Sequence, residues 1–158
     1  MANAALINDL LEPQAFARNS LSSPPYGSTD ATRSSMHVPT PGWIDSIKVQ
    51  IEGFESLQSG WDSYAGKPIA SSMRTAAFQL ILDLATTNTP RPSVVPIGDG
   101  TIQFEWHTKD IDLEIRMLSM TRIEVAFEDS REDEPPVEAE FDYDFTRLRS
   151  VMNVLSSR

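Results

Sequence analysis

The chain has 158 residues, 40% of them hydrophobic, with 13 basic and 23 acidic side chains and a formal net charge of −10. That length suits one domain with room for a tail, and that apolar content suffices for a single core, which argues against disorder of the whole chain. The absence of cysteine excludes disulfides, thiolate metal sites and a cysteine nucleophile, and it fits a reducing cytoplasm.

No run approaches the roughly 18 apolar residues of a membrane helix. Ala4–Leu11 is interrupted by Asn8 and Asp9, and no basic stretch precedes it. Neither a membrane span nor a signal peptide is therefore expected, and the expected location is cytoplasmic. The charge is unevenly spread. Residues 128–144 hold nine acidic side chains and one basic one, Arg131, which is −8 of the −10. Such a segment repels polyphosphate, so direct nucleic-acid binding is disfavoured. A basic protein surface is attracted.

In chain order, Leu6, Ile7, Leu10 and Leu11 recur at helical spacing before Pro13, so residues 1–18 are read as a short amphipathic helix. Residues 19–40 are rich in Ser, Thr and Pro and poor in large apolar residues, and read as a flexible linker. A single domain is expected over residues 41–158. Trp43, Ile44, Ile47, Ile51, Phe54 and Leu57 predict a helix running from near Pro41 to about Leu57, closed by Gly60. A second helix is predicted from a Ser71 or Ser72 cap, with Met73, Ala77, Leu80, Ile81 and Leu84 as its buried stripe. The tract Thr86–Pro92 ends it.

Val94, Val95 and Ile97 can form a short edge strand around Pro96. After the Asp99-Gly100 turn signal the period changes to two. Ile102, Phe104 and Trp106 alternate with polar residues, as do Ile111, Leu113, Ile115 and Met117, and then Ile123, Val125 and Phe127. Three such runs joined by short loops predict an antiparallel meander with one buried face. Asp129–Pro136 reads as an acidic loop, and residues 137–141 can add a fourth strand. Phe145, Leu148, Val151, Met152 and Leu155 mark a last helix, with Asp144 as its cap. The expected fold is α+β: a three- to four-stranded antiparallel meander packed by two or three helices, with a flexible N-terminal arm.

The chemistry is sparse. The two histidines are His37, in the linker, and His107, on the polar side of the first long strand. Two isolated histidines do not make a zinc triad. Phosphate-binding and nucleophile-elbow motifs are absent. No cofactor and no metal are expected. Glu105, Asp112, Glu114 and Glu124 share the polar face of the meander, where strands about 4.8 Å apart can bring carboxylates together. The plainer reading is a solvated face. The sharper one is cation binding or acid/base work. Trp61, Asp62 and Tyr64 form an aromatic-acidic loop between two helices. It either seals the core end, with Asp62 bonding loop amides, or serves as a hot spot for a ligand or partner.

Gly60-Trp-Asp-Ser-Tyr, the helix after it, the strand Asp99-Gly-Thr-Ile-Gln-Phe-Glu-Trp106 and Leu113-Glu-Ile115 together resemble a group of short bacterial proteins. Those carry a Gly-Trp-Asp-x-Tyr loop, a helix, an Asp-Gly-x-Ile-x-(Phe or Leu)-x-Trp strand and a Leu-Glu-Ile strand. The resemblance covers about residues 60–127. It implies a helix-then-meander module of bacterial or phage origin, and it assigns no residue a role.

The function expected is non-enzymatic: an acidic accessory factor, such as an antitoxin-, immunity- or inhibitor-like protein, that binds another protein with a basic surface. Its candidate contacts are Leu6 and Leu10 on the N-terminal helix, Trp61, Asp62 and Tyr64 in the loop, and Glu132, Asp133, Glu134, Glu138 and Glu140 in the acidic segment. One alternative is a small-ligand or metal-dependent enzyme in which Asp62, Glu105 and His107 converge in a pocket. Another is a structural subunit of a bacterial or phage assembly.

Overall fold

The alternation of residues 102–128 is realised in a continuous antiparallel sheet. The computed structural model describes residues 40–133, 135–142 and 145–157. Strands β1 (Ser93–Pro96), β2 (Ile102–Thr108), β3 (Ile111–Met117), β4 (Arg122–Asp129) and β5 (Val137–Asp142) lie in sheet order β1-β2-β3-β4-β5. Helices α1 (Ile44–Gly53), α2 (Ser71–Leu84) and α3 (Phe145–Ser157) accompany it. The fold is thus α+β, as expected, but with five strands rather than three or four. Both optional segments join the sheet, one at each edge. The proposed N-terminal helix and linker, and the Asp144 cap, lie outside the described residues.

Period two decides what the sheet buries. Ile102, Phe104 and Trp106 on β2, Ile111, Leu113, Ile115 and Met117 on β3, and Ile123, Val125 and Phe127 on β4 are all buried. The helices cover this face with their own stripes: Ile44, Ile47 and Ile51 from α1, Ala77, Leu80, Ile81 and Leu84 from α2, and Leu148, Val151, Met152 and Leu155 from α3. Each such branched side chain contributes about 1.5–3 kcal/mol when fully buried. Trp106 is buried because its indole N–H donates to the Pro90 carbonyl at 2.8 Å. Thr89, also buried, ties three elements together. Its carbonyl accepts from the Trp43 indole at 2.9 Å, and its hydroxyl meets Ser156 of α3 at 2.9 Å.

Three local expectations are corrected. The first helix ends at Gly53 and tightens into a 3-10 turn over Phe54–Ser56, so Phe54 and Leu57 stay against the core without α-helical geometry. Ser71 already stands inside α2, and the residue before it, Ala70, is the cap position. Among the described residues, no side-chain hydrogen bond caps that helix. Asp129 belongs to β4 rather than to an acidic loop. It falls on the core-facing parity, is buried, and accepts the Arg131 amide at 3.1 Å.

The β2–β3 turn has only two residues between the paired Thr108 and Ile111, and both have positive φ: Lys109 at 56° and Asp110 at 64°. That is the signature of a type I′ hairpin turn, which favours Asn or Gly at these places. Asp110 recovers part of the strain by holding Arg131 at 2.6 Å. Lys109 is exposed, and replacing it with Asn relieves the backbone at no loss of packing. Lys109→Asn should therefore stabilise the fold by roughly 0.5–1 kcal/mol in chemical denaturation.

Candidate functional site

The polar parity of the sheet forms one surface. Gln103, Glu105 and His107 of β2, Asp112, Glu114 and Arg116 of β3, Arg122, Glu124, Ala126 and Glu128 of β4, and Glu138, Glu140 and Asp142 of β5 share it by register. None of these is buried, and none of the described helices lies over them. Eight carboxylates therefore stand against two arginines. Glu138 and Glu140, read from sequence as part of a separate acidic segment, lie in the same cross-strand rows as Glu114 and Glu124: Glu114 pairs Ala126, which pairs Glu138, and Arg116 pairs Glu124, which pairs Glu140.

Like charges this close require compensation, and the structure supplies it locally. Glu105 and Glu114 are directly opposite each other, and the Gln103 side-chain amide donates to both at 3.0 Å. Arg116 reaches Asp99, Glu124 (3.6 Å) and the Thr101 hydroxyl (3.2 Å). Arg122 pairs with Glu140. Partial burial alone raises the Asp99 carboxyl, but the Thr101 hydroxyl and amide and the Arg116 guanidinium outweigh it and hold Asp99 below the usual carboxylate range. Ala126, small among these long side chains, leaves a shallow hollow of about 160 Å³ lined by Gln103, Glu114, Arg116, Glu124 and Glu138.

His107 donates from Nδ1 to Asp112 at 2.6 Å, and its Nε2 lies 3.8 Å from Glu105. The Asp112 hydrogen bond, together with the Asp112, Glu105 and Glu114 charges, outweighs desolvation and raises the imidazole pKa above its ordinary 6.5. The pair is about half exposed on both sides, so the imidazole sits on an open surface rather than in a pocket. No group of three His, Asp or Glu side chains among the described residues has metal-holding geometry.

The aromatic-acidic loop is built differently. Gly60 (φ 80°) turns the chain, and its amide donates to the Gly66 carbonyl at 2.7 Å. Asp62 Oδ1 accepts the amides of Tyr64 and Gly66, each at 2.9 Å. The carboxylate also lies against Gly98 in the β1–β2 hairpin. A Cβ on Gly66 or on Gly98 would fall 2.7 Å from it. The Lys67 amide donates to the Gly98 carbonyl at 2.8 Å, and the Trp61 indole to the Lys67 carbonyl at 3.0 Å. Asp62 and Trp61 thus fasten the α1–α2 connection to the sheet. Tyr64 points outward, 89% exposed.

The candidate residues are accordingly divided. Glu138 and Glu140 join the acidic face. Trp61, Asp62 and Tyr64 sit at the β1–β2 hairpin end. Glu132 and Asp133 follow β4 at the other end, where the Glu132 amide donates to the Asp129 carbonyl. The convergence of Asp62 with Glu105 and His107 is not found, because Asp62 is turned into its own loop while the other two lie on the sheet face. Leu6, Leu10 and Glu134 lie outside the described residues. The residues missed from sequence are Gln103, Arg116, Asp99 and Ala126, whose roles follow only from the strand register. No helix among the described residues is long and apolar enough to cross a membrane. No protein-family model matches the chain, and neither a curated protein nor a solved structure is detectably similar to it.

Two predictions test these assignments. Gly66→Ala should cost about 1–3 kcal/mol, because its methyl evicts a hydrogen-bonded carboxylate. In an Asp62→Ala background the same change should cost clearly less, a coupling read from a double-mutant cycle. For His107, the folded-state pKa lies above the unfolded value, so its contribution to stability is complete below about 6.5 and is lost as pH rises through the folded-state titration. NMR titration should show a raised pKa that Asp112→Asn lowers, with a flatter dependence of stability on pH in that variant.

Proposed function

We propose that the protein is a non-enzymatic, protein-binding accessory factor that presents its acidic sheet face to a basic surface of a partner, in the manner of an antitoxin, immunity protein or inhibitor. One observation carries the reading: carboxylates from separate stretches of chain, Glu105, Glu114, Glu124, Glu128, Glu138 and Glu140, meet on one side of a five-stranded sheet that none of the described helices covers. A rigid sheet fixes their spacing, so the surface is electrostatically patterned before any partner arrives. Complementary charge of this kind speeds encounter and selects against acidic partners.

Glu114, Glu128 and Glu138 are the informative positions, because they make no ion pair with Arg116 or Arg122. Changing all three to Gln removes charge and keeps shape. Protein captured from cells of the source organism by the wild-type chain should bind the triple variant roughly three- to a hundredfold more weakly at low salt, from roughly 0.2–1 kcal/mol per lost charge contact. The difference should narrow as salt rises. Equal capture by both chains, with unchanged circular dichroism, rules the face out as the contact.

A further inference from the structure

Among the described residues, the two edges of the sheet are finished in opposite ways. The ladder bonds set the parity. The Ser130 amide donates to the Asp110 carbonyl and the Leu118 amide to the Arg122 carbonyl, both at 2.9 Å. The even-numbered residues of β4 therefore bond β3, and the odd-numbered ones bond β5. On β5, Val137, Ala139 and Phe141 turn their backbone groups toward β4. Glu138, Glu140 and Asp142 turn theirs outward, away from the sheet.

The same reasoning applied to β1 turns Val94 and Pro96 outward. There the edge is closed. Pro96 has no amide hydrogen, and the Gln50 side chain of α1 donates to the Val94 carbonyl at 3.0 Å. Among the described residues, nothing comparable occupies the outer side of β5, and no proline interrupts it.

We propose that the β5 edge accepts an extended segment of a partner protein as a sixth, antiparallel strand, with Lys or Arg at every second position. This deepens the proposed function and rests on it for the partner's charge. Residues hydrogen-bonded to Glu138 and Glu140 stand directly opposite them and share the acidic face, where opposite charges across a strand pair are favourable. The intervening residues fall on the other face, beside the half-buried Val137 and Ala139, and are apolar.

A second copy of this chain does not meet these demands. The outward-bonding residues of β5 are Glu138, Glu140 and Asp142, so every antiparallel β5–β5 register sets carboxylate against carboxylate. Strand addition needs the outward amides as well as the charges, and this separates it from docking on the face alone.

The test uses the full chain and an end-blocked octapeptide of alternating lysine and valine, with a block-ordered peptide of the same composition as control. The alternating peptide should bind at least fivefold more tightly than the block peptide. It should also slow hydrogen exchange at the Glu138 and Glu140 amides. Glu138→Gln should weaken binding severalfold. Glu138→Pro, which also removes an outward amide while leaving the β4 ladder intact, should weaken it a further tenfold with the fold unchanged by circular dichroism. Equal binding of both peptides, without amide protection, overturns strand addition and leaves the acidic face as the docking surface. Failure of both peptides to bind at low salt counts against the face as well. Self-association in sedimentation that Glu138→Pro abolishes overturns the proposal in favour of a second copy.

Discussion

The register of β2, β3 and β4 is the constraint on which the remaining structure depends. A slip of one residue would carry Ile102, Phe104 and Trp106 to solvent and bring Gln103, Glu105 and His107 against the helices. The cost of burying a carboxylate and an imidazole and exposing two aromatics far exceeds the few kcal/mol by which a domain of this size is stable. The same pairing that collects the core therefore also collects the charges. The acidic face and the apolar face are one decision, made by a period of two.

That period was readable in the chain, and the three central strands followed from it. The edges were harder for physical reasons. β1 has a proline at its end, which ordinarily argues against a strand and here is harmless because its missing amide faces outward. β5 sits in the most acidic stretch of the protein, where composition suggests a loop. Its alternation is as strict as that of β4, but its apolar members, Val137 and Ala139, are only half buried. The site was less legible than the fold. Glu105 and Glu114 could be placed on one face from sequence, yet their being opposite each other needed the two-residue turn at Lys109-Asp110. That turn lacks the glycine that usually announces it. The union of Glu138 with Glu114 needed a whole further strand.

Two acids in turns, Asp62 and Asp99, shape the chain. Asp62 and Asp99 each accept amides within their own turns, and both act on the β1–β2 hairpin, Asp62 by packing on Gly98 and Asp99 by holding Arg116. Gly66 and Gly98 are glycines because the Asp62 carboxylate occupies the space of a side chain. Asp99 has a further consequence. By fixing Arg116 at the margin of the face, it places the guanidinium beside Glu124 rather than at the Glu105–Glu114 pair. The neutral amide of Gln103 is the hydrogen-bond donor that serves that pair.

This distribution bears on whether the face is merely solvated. A surface kept soluble by charge does best with both signs interspersed, since like charges directly opposite across a strand pair are unfavourable by tenths of a kcal/mol. Glu105 and Glu114 occupy a pair of the closely spaced, non-hydrogen-bonded kind, and the Glu105 side chain is only 22% exposed. Screening there is weaker than at a free surface, and a lysine at either position would remove the repulsion. The chain keeps both carboxylates, and the Gln103 side-chain amide donates to each. A basic side chain placed between the two would have two carboxylate acceptors and would relieve their mutual repulsion.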